Sequence, residues 1–247
     1  MRAKNIELSI IKISIVCACL VVGAGTIQRI LETRAEPTSN NVVQSSVTTP
    51  ATATTQTTNT AIPTTPVSTP LGKVIAIGDS YTFGYPYGLD YSWVNLAAKD
   101  LKRELINKAK TSQTSADLLK RFQSDVIDGK PDAVIILIGT GDAIRGVSLE
   151  TYQKNLQDMV KAAKDKNIST IIGLPLPYPD ANATKLIADY RTWLTSFAQT
   201  EKLKVVDFNP DLVEDGGGIR KGLTDDGKYP NKQGYTTMAQ TIEKALK

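Results

Sequence analysis

The chain has 247 residues, a net charge of +4, two cysteines and no histidine. No block or stripe of basic residues stands out, which argues against a nucleic-acid partner. Both cysteines, Cys17 and Cys19, lie in one apolar run near the N-terminus. A metal site, a disulfide or a thiolate nucleophile is therefore not expected in the rest of the chain, and no cofactor is expected.

Residues 1–35 are predicted to be an N-terminal membrane anchor or signal segment. Basic residues precede an apolar run from about Ile13 to Ile27, with Lys12 at its edge. Taken alone, this run has the length of a signal-peptide core. Counted from Leu8, with Lys12 snorkelling, it is long enough for one anchoring helix. We expect the rest of the chain to lie outside the cytoplasmic membrane, with retention favoured over cleavage and secretion.

The cysteines leave one further reading of this segment open. Val16-Cys17-Ala18-Cys19 loosely resembles a lipoprotein cleavage box, which would place a lipid on Cys19. Small hydrophobic residues in an apolar helix account for the same pattern better.

Residues 36–72 are predicted to be a disordered linker. From position 37 onward the segment contains no charged and no aromatic residue, and Thr, Pro, Ser, Ala and Asn dominate it. Such a composition buries too little apolar surface to order the chain. We expect a spacer that reaches a few tens of ångströms between the membrane segment and the globular part.

Residues 73–247 alternate short apolar runs with amphipathic segments. The predicted strands are Val74–Ile77, Glu104–Asn107, Ala133–Ile138, Thr170–Leu174 and Val205–Phe208. The predicted helices are Trp93–Leu101, Ser115–Ile127, Leu149–Lys164, Ala183–Thr200 and Lys232–Leu246. This alternation predicts one α/β domain with a parallel sheet of about five strands, covered on both faces. Sites in such sheets form at the carboxyl ends of the strands, which brings Ser80, Thr140–Asp142 and the loop after Leu174 to one edge.

Ser80 follows the first predicted strand and is flanked by glycines at positions 78 and 84. Glycines there allow a tight turn that leaves the hydroxyl and the nearby N–H groups free. A lone Gly-Asp-Ser tripeptide is a weak signal, because Asp and Ser are also ordinary turn and cap residues. A nucleophilic serine normally needs an adjacent base, usually histidine, and this chain has none.

Four segments together resemble, in order, the sequence blocks of the SGNH or GDSL hydrolases. They are Gly78-Asp-Ser-Tyr-Thr-Phe-Gly84, Asn107-Lys-Ala-Lys-Thr-Ser-Gln-Thr114, Ile138-Gly-Thr-Gly-Asp-Ala143 and Asp226-Gly-Lys-Tyr-Pro-Asn-Lys-Gln-Gly-Tyr235. The resemblance covers residues 73–247. It implies a three-layer, flavodoxin-like α/β/α sandwich. It also implies hydrolysis of carboxylic esters, often acetyl or short acyl groups on sugars or cell-surface polymers.

The resemblance assigns five roles, and three of the five positions are replaced. Ser80 stands at the nucleophile position, and its N–H would serve the oxyanion hole. Asp226 stands at the position of the triad acid. Tyr229 replaces the triad histidine, and Gly141 replaces the oxyanion asparagine. Ser112 replaces the oxyanion glycine, although its backbone N–H remains able to donate.

These replacements predict that esterase activity is lost or strongly attenuated. Removing a triad base costs about 10⁴–10⁶ in turnover, and removing one oxyanion donor costs about 10²–10³. A phenol with a pKa of about 10 is a poor base at neutral pH. We therefore expect a monomeric pseudoenzyme that binds an acylated glycan or cell-wall polymer. On the same basis, Tyr229→His with Gly141→Asn is expected to restore activity.

Two alternatives stay open at this stage. The first is an active esterase that uses Ser80 and Asp226 with an unorthodox base. The second is a purely structural domain with a vestigial cleft. Aromatic residues after the nucleophile allow two readings as well. Together with Tyr229 they could line a cleft suited to sugars. The reading favoured here is that Phe83 and Trp93 belong to the core while the tyrosines half-cover a loop. These aromatic residues are Tyr81, Phe83, Tyr85, Tyr87, Tyr91 and Trp93.

Overall fold

A computed structural model describes residues 72–247 of the chain. The predicted membrane segment, residues 1–35, and the predicted linker up to residue 71 lie outside the described residues. Within residues 72–247, none of the helices combines the length and the apolar character needed to cross a bilayer.

The centre of the domain is one parallel sheet of five strands. The strands are β1 (Lys73–Gly78), β2 (Glu104–Asn107), β3 (Ala133–Leu137), β4 (Ser169–Gly173) and β5 (Lys204–Val206). Their order across the sheet is β2-β1-β3-β4-β5, and every neighbouring pair is parallel. All five residues of β3 are buried, as expected for a strand covered on both faces.

The strands are connected by eight α-helices in the described part of the chain. They are α1 (Ser80–Phe83), α2 (Trp93–Leu101), α3 (Ser115–Phe122), α4 (Thr140–Ile144), α5 (Leu149–Lys164), α6 (Ala181–Glu201), α7 (Asn209–Leu212) and α8 (Lys232–Leu246). A short 3₁₀ segment, Leu89–Tyr91, precedes α2. All five predicted strands and all five predicted helices are present.

Six of the ten predicted elements differ from their predicted bounds, and for β1, β3, β4 and α6 the shift is only one or two residues. The other two differences have a visible structural reason. The helix predicted over Ser115–Ile127 ends as an α-helix at Phe122 and continues as a π-helix over Gln123–Ile127, which still buries its apolar residues. The fifth strand ends at Val206 rather than Phe208. The chain leaves the sheet there because the Phe208 ring packs in the core against Trp93, with ring centroids 5.5 Å apart.

The alternating side chains of β1 supply two separate cores, one on each face of the sheet. Ile75 and Ile77 pack into the cluster formed with α3, α5 and α6. Val74 and Ala76 pack into the cluster formed with α2 and α8. This arrangement confirms the three-layer α/β/α sandwich.

The order of the strands also places the site. β1 has β2 on one side and β3 on the other, so the chain crosses over in opposite directions from the centre of the sheet. A crevice opens at the carboxyl ends of the strands at such a point. Ser80 follows β1 directly, and Gly141 lies just after β3.

Candidate active site

Ser80 is the first residue of α1, the single helical turn that follows β1. Asp79 caps this turn, because its carboxylate accepts a hydrogen bond from the Tyr81 N–H at 3.0 Å. Gly84 ends the turn with φ of 92°, in the left-handed region that favours glycine. The turn holds Ser80 at the floor of a cleft, with 8% of the residue exposed.

Ser112 directs its backbone N–H at the nucleophile position. This N–H donates to Ser80 Oγ at 3.0 Å. Ser112 has φ of 57°, in the left-handed region that a side chain rarely adopts. The loop therefore keeps a conformation suited to glycine although a serine occupies the position.

Gly141 is in close contact with the backbone of the same loop. A Cβ atom added at Gly141 would lie well inside 3.0 Å of the Gln113 carbonyl oxygen and 3.1 Å from the carbonyl carbon. The loops after β2 and β3 thus meet backbone to backbone beside Ser80. The missing asparagine leaves no vacant space here, because the Gln113 carbonyl occupies the position where its side chain would begin.

Arg145 joins these two loops and was not singled out from the sequence. Its guanidinium donates to the Ser112 carbonyl oxygen at 2.8 Å and to the Gly141 carbonyl oxygen at 3.2 Å. It lines the same cleft as Ser80. Arg145 follows the last residue of α4 and lies four residues after Gly141, and this spacing is the sequence signal that could have placed it at the cleft.

Tyr229, at the histidine position, lies in a group of tyrosine rings. Its ring centroid is 4.8 Å from that of Tyr85, 5.2 Å from Tyr81 and 6.2 Å from Tyr178. Burial raises the pKa of the Tyr229 phenol to about 12, and the Ser80 side chain, which faces it, acts in the opposite direction. The phenol therefore stays protonated at neutral pH and does not supply a base.

Tyr178 is the second cleft residue that sequence reasoning missed. It lies in the loop after β4, which the strand pattern had already placed at this edge. Of the aromatic residues after Ser80, Trp93 is buried in the core as predicted, and Tyr85 and Tyr91 are exposed. The prediction was wrong for Tyr81, which is buried in the core, and for Phe83, which is only half-buried. The cluster is thus divided between core and surface, and Tyr85 also reaches the cleft.

Asp226 shares the cleft with Ser80 and Tyr229 but has other partners. Its Oδ1 accepts the backbone N–H groups of Lys228 at 2.8 Å and Tyr229 at 2.9 Å. The Thr224 hydroxyl adds a third, longer bond at 3.3 Å. Within residues 72–247, no hydrogen bond joins the Asp226 carboxylate to the Tyr229 phenol. The carboxylate holds the turn that presents Tyr229.

Two buried carboxyl groups lie behind the nucleophile. Burial raises the pKa of Asp79 to about 7. The N–H groups of Tyr81 and Gly141 have the opposite, smaller effect on this pKa, because they stabilise the ionised carboxylate. Burial likewise raises the pKa of Asp142 to about 6. Asp142 accepts both the N–H and the hydroxyl of Ser115, and so fixes the start of α3 next to the cleft.

The structure brings all five residues predicted from the sequence to one cleft. Ser80 is its centre, with Ser112, Gly141 and Arg145 on one side and Tyr229 on the other. Asp226 and Lys228 lie further out beyond Tyr229. A serine after the first strand of a five-stranded parallel sheet, with a backbone N–H aimed at its oxygen, defines a hydrolase-type α/β/α domain. Residues 76–237 match the GDSL-like lipase/acylhydrolase family, and the chain belongs to this family.

Several known proteins are similar to this chain. A solved structure assigned to the G-D-S-L lipolytic family, from Desulfitobacterium hafniense, is 39% identical with a TM-score of 0.67, covering 70% of this chain and 98% of that one. Esterase TesA of Pseudomonas aeruginosa is 27% identical over 180 residues, covering 70% of this chain and 87% of TesA. The uncharacterized lipoprotein YqeF of Bacillus subtilis is 31% identical over 122 residues, covering 44% of this chain and 50% of YqeF.

Proposed function

We propose that this protein is a membrane-tethered, extracytoplasmic member of the GDSL family that binds an acylated glycan or cell-wall polymer. In this proposal it hydrolyses esters far more slowly than an enzyme with a complete triad. The observation that carries the proposal is the state of the base position. Tyr229 is a protonated phenol, and Asp226 bonds to backbone N–H groups instead of orienting it.

The expected loss of turnover follows from the role of the base. Without an acceptor for its proton, the Ser80 hydroxyl attacks a carbonyl only as a neutral alcohol. Loss of the base alone costs about 10⁴–10⁶ in turnover in serine hydrolases. The Ser112 N–H remains in place and would still hold an acyl oxygen. Binding is therefore expected to survive where catalysis does not.

The walls of the cleft support a ligand with both apolar faces and polar groups. The rings of Tyr85 and Tyr178 are partly exposed beside the serine, and 43% of Tyr85 is accessible. Aromatic rings with nearby polar tips suit amphipathic ligands such as sugars. Lys228 and Asp226 add charged groups at the outer end.

The position of the first strand supports a tether that leaves the cleft accessible. β1 begins at Lys73 on one edge of the sheet, and Ser80 follows its other end. Six residues of strand span roughly 20 Å. A tether that precedes Lys73 would therefore join the domain at the end of β1 opposite to Ser80. Similarity to YqeF, which is named as a lipoprotein, also favours a tethered position outside the cytoplasmic membrane.

Hydrolysis of p-nitrophenyl acetate by the full-length protein tests this proposal. We expect the wild type and Ser80→Ala to hydrolyse the ester at the same slow rate. Ser124→Ala, which alters an exposed serine outside the cleft, is the matched control. A rate that depends on Ser80 and reaches about 1 s⁻¹ or more, the ordinary enzymatic range, would overturn the proposal.

An active esterase with an unorthodox base is the second candidate, because Ser80 and Asp226 line the same cleft. A fluorophosphonate probe distinguishes the two. Rapid labelling of Ser80, abolished in Asp226→Asn but not in Asp225→Asn, would favour the active esterase.

A further inference from the structure

We propose that the group bound beside Ser80 is a carboxylate rather than an ester, so that the cleft recognises a free acid. This inference rests on the proposed function, but it narrows the ligand to a glycan or cell-wall polymer that carries a free carboxylate in place of an acyl ester. The geometry that carries it is a set of hydrogen-bond donors around Ser80, where most of the neighbouring acceptors are already occupied.

The donors come from three separate parts of the chain. The Ser112 N–H points at Ser80 Oγ from the loop after β2. The Tyr229 side chain lines the cleft beside Ser80 from the loop before α8. Arg145 lines the same space from the C-terminal end of α4, and its guanidinium has donors beyond the two already used. The Ser80 hydroxyl is the fourth donor, since no base takes its proton.

The acceptors around this space are engaged elsewhere. Arg145 occupies the carbonyl oxygens of Ser112 and Gly141. Asp79 is 4% exposed and accepts the Tyr81 N–H. The Thr140 hydroxyl donates away from the cleft, to a buried carbonyl oxygen. The acceptors nearest to Ser80 are therefore engaged, whereas the donors are available to a ligand.

Asp226 is the remaining charged acceptor in the cleft. It lines the outer part of the cleft, and three donors converge on its Oδ1. Within residues 72–247 its Oδ2 accepts no hydrogen bond, so this oxygen is an open acceptor at the outer end of the cleft. The charged groups that line the cleft are Arg145 and Lys228 against Asp79 and Asp226. Of these, Asp79 lies beneath the serine, with its carboxyl group capping α1.

An ionised carboxylate is an acceptor-only group, so its two oxygens can take hydrogen bonds from the N–H, guanidinium and hydroxyl donors around Ser80. An ester carbonyl also accepts hydrogen bonds, but bonds to a charged oxygen are roughly twice as strong. In a complete triad a neutral imidazole would present an acceptor nitrogen toward the serine, whereas this chain presents a phenol O–H. The replacement at position 229 thus changes both the catalytic base and the ligand chemistry.

Butyrate and butyramide provide a matched pair of probes, because they have nearly the same shape and differ in charge. Binding of each to the full-length protein would be measured by calorimetry or ligand-observed NMR. We expect butyrate to bind about tenfold more tightly than butyramide, as two or more charge-assisted bonds replace neutral ones.

The variants identify the source of this preference. Tyr229→Phe keeps the ring and removes the donor, so butyrate should weaken about fivefold while butyramide changes little. Tyr91→Phe, which removes an exposed phenol outside the cleft, should change neither.

Three outcomes would overturn the inference: equal binding of the two probes, tighter binding of butyramide, or binding of neither. None of them requires Ser80-dependent ester turnover, which is the result that overturns the proposed function. A protein that holds butyramide without hydrolysing esters would keep the proposed function and lose the carboxylate preference. The comparison on the wild type needs no variant to fold.

Discussion

Replacing Gly141 with alanine tests whether backbone contact between two loops shapes this cleft. The new Cβ would lie well inside 3.0 Å of the Gln113 carbonyl oxygen, a separation that Cβ atoms essentially never show. Because the obstacle is backbone rather than the end of a flexible side chain, the loop that carries Ser112 has to move.

The magnitude is the balance of three contributions. Alanine in place of glycine gains at most about 1 kcal/mol of helix propensity, and less in a helix as short as α4. The steric overlap costs about 1–3 kcal/mol. Movement of the loop also weakens the bond from Ser112 to Ser80 and those from Arg145, at about 1 kcal/mol each. A net loss of about 2–4 kcal/mol of unfolding free energy is expected.

Thermal unfolding followed by circular dichroism measures this loss. For a domain of this size the melting temperature should fall by roughly 5–12 °C. Gly216→Ala is the matched control, because a Cβ added there meets no atom within 4 Å and Gly216 is not among the glycines with positive φ. The reasoning is wrong if Gly141→Ala melts at or above the wild-type temperature.

The same contact revises an expectation drawn from the sequence. Paired substitution of Tyr229→His and Gly141→Asn was expected to rebuild the site, but the asparagine meets the same Gln113 carbonyl as alanine would. Tyr229→His meets no such obstacle, whereas Gly141→Asn requires the loop that carries Gln113 to move away.

Two further predictions concern titration and the base. Tyr229→His alone should raise the hydrolysis of p-nitrophenyl acetate at least about tenfold above the wild-type rate, because it supplies a base beside Ser80. Adding Ser80→Ala to this variant should abolish the gain. No such gain in a folded variant would show that the cleft lacks room for the reaction. Stability should fall as pH rises from about 4 to about 7 and then level off, because the raised pKa values of Asp79 and Asp142 let the folded chain hold protons that the unfolded chain releases. Thermal melts between these pH values measure how steeply stability falls, and Asp79→Asn should make the fall smaller. A stability that rises over the same range would contradict the raised pKa values of the two carboxyl groups.

The fold could be predicted because its signals are local and repeated. Each strand is a short apolar run, and each long helix has an apolar face at helical spacing, so their order along the chain was enough to predict a covered parallel sheet. The short helices α1, α4 and α7 were not predicted, since four or five residues show no period. Phe208 was placed in a strand because its burial against Trp93 cannot be distinguished from burial in the sheet without the tertiary structure.

The sequence by itself determined where the cleft forms, although it did not single out Arg145 or Tyr178. Parallel strands end at one edge, so Ser80 and Gly141, which follow two strands, had to converge with the loop after β4. The resemblance of the block Asp226–Tyr235 to the family's last block likewise assigned the missing histidine to position 229 before any geometry was known. These conclusions depend on residue type, order and strand direction, all of which can be read along the chain.

Only the tertiary structure decided what the cleft residues do for one another. Contact of Gly141 with Gln113, the bonds from Arg145 to two loops, and the commitment of Asp226 to backbone N–H groups all depend on atomic positions. The first two join residues that lie far apart in the chain, and the third depends on the path of a turn. No local pattern encodes such contacts, because they arise when separate loops pack against one another at the sheet edge.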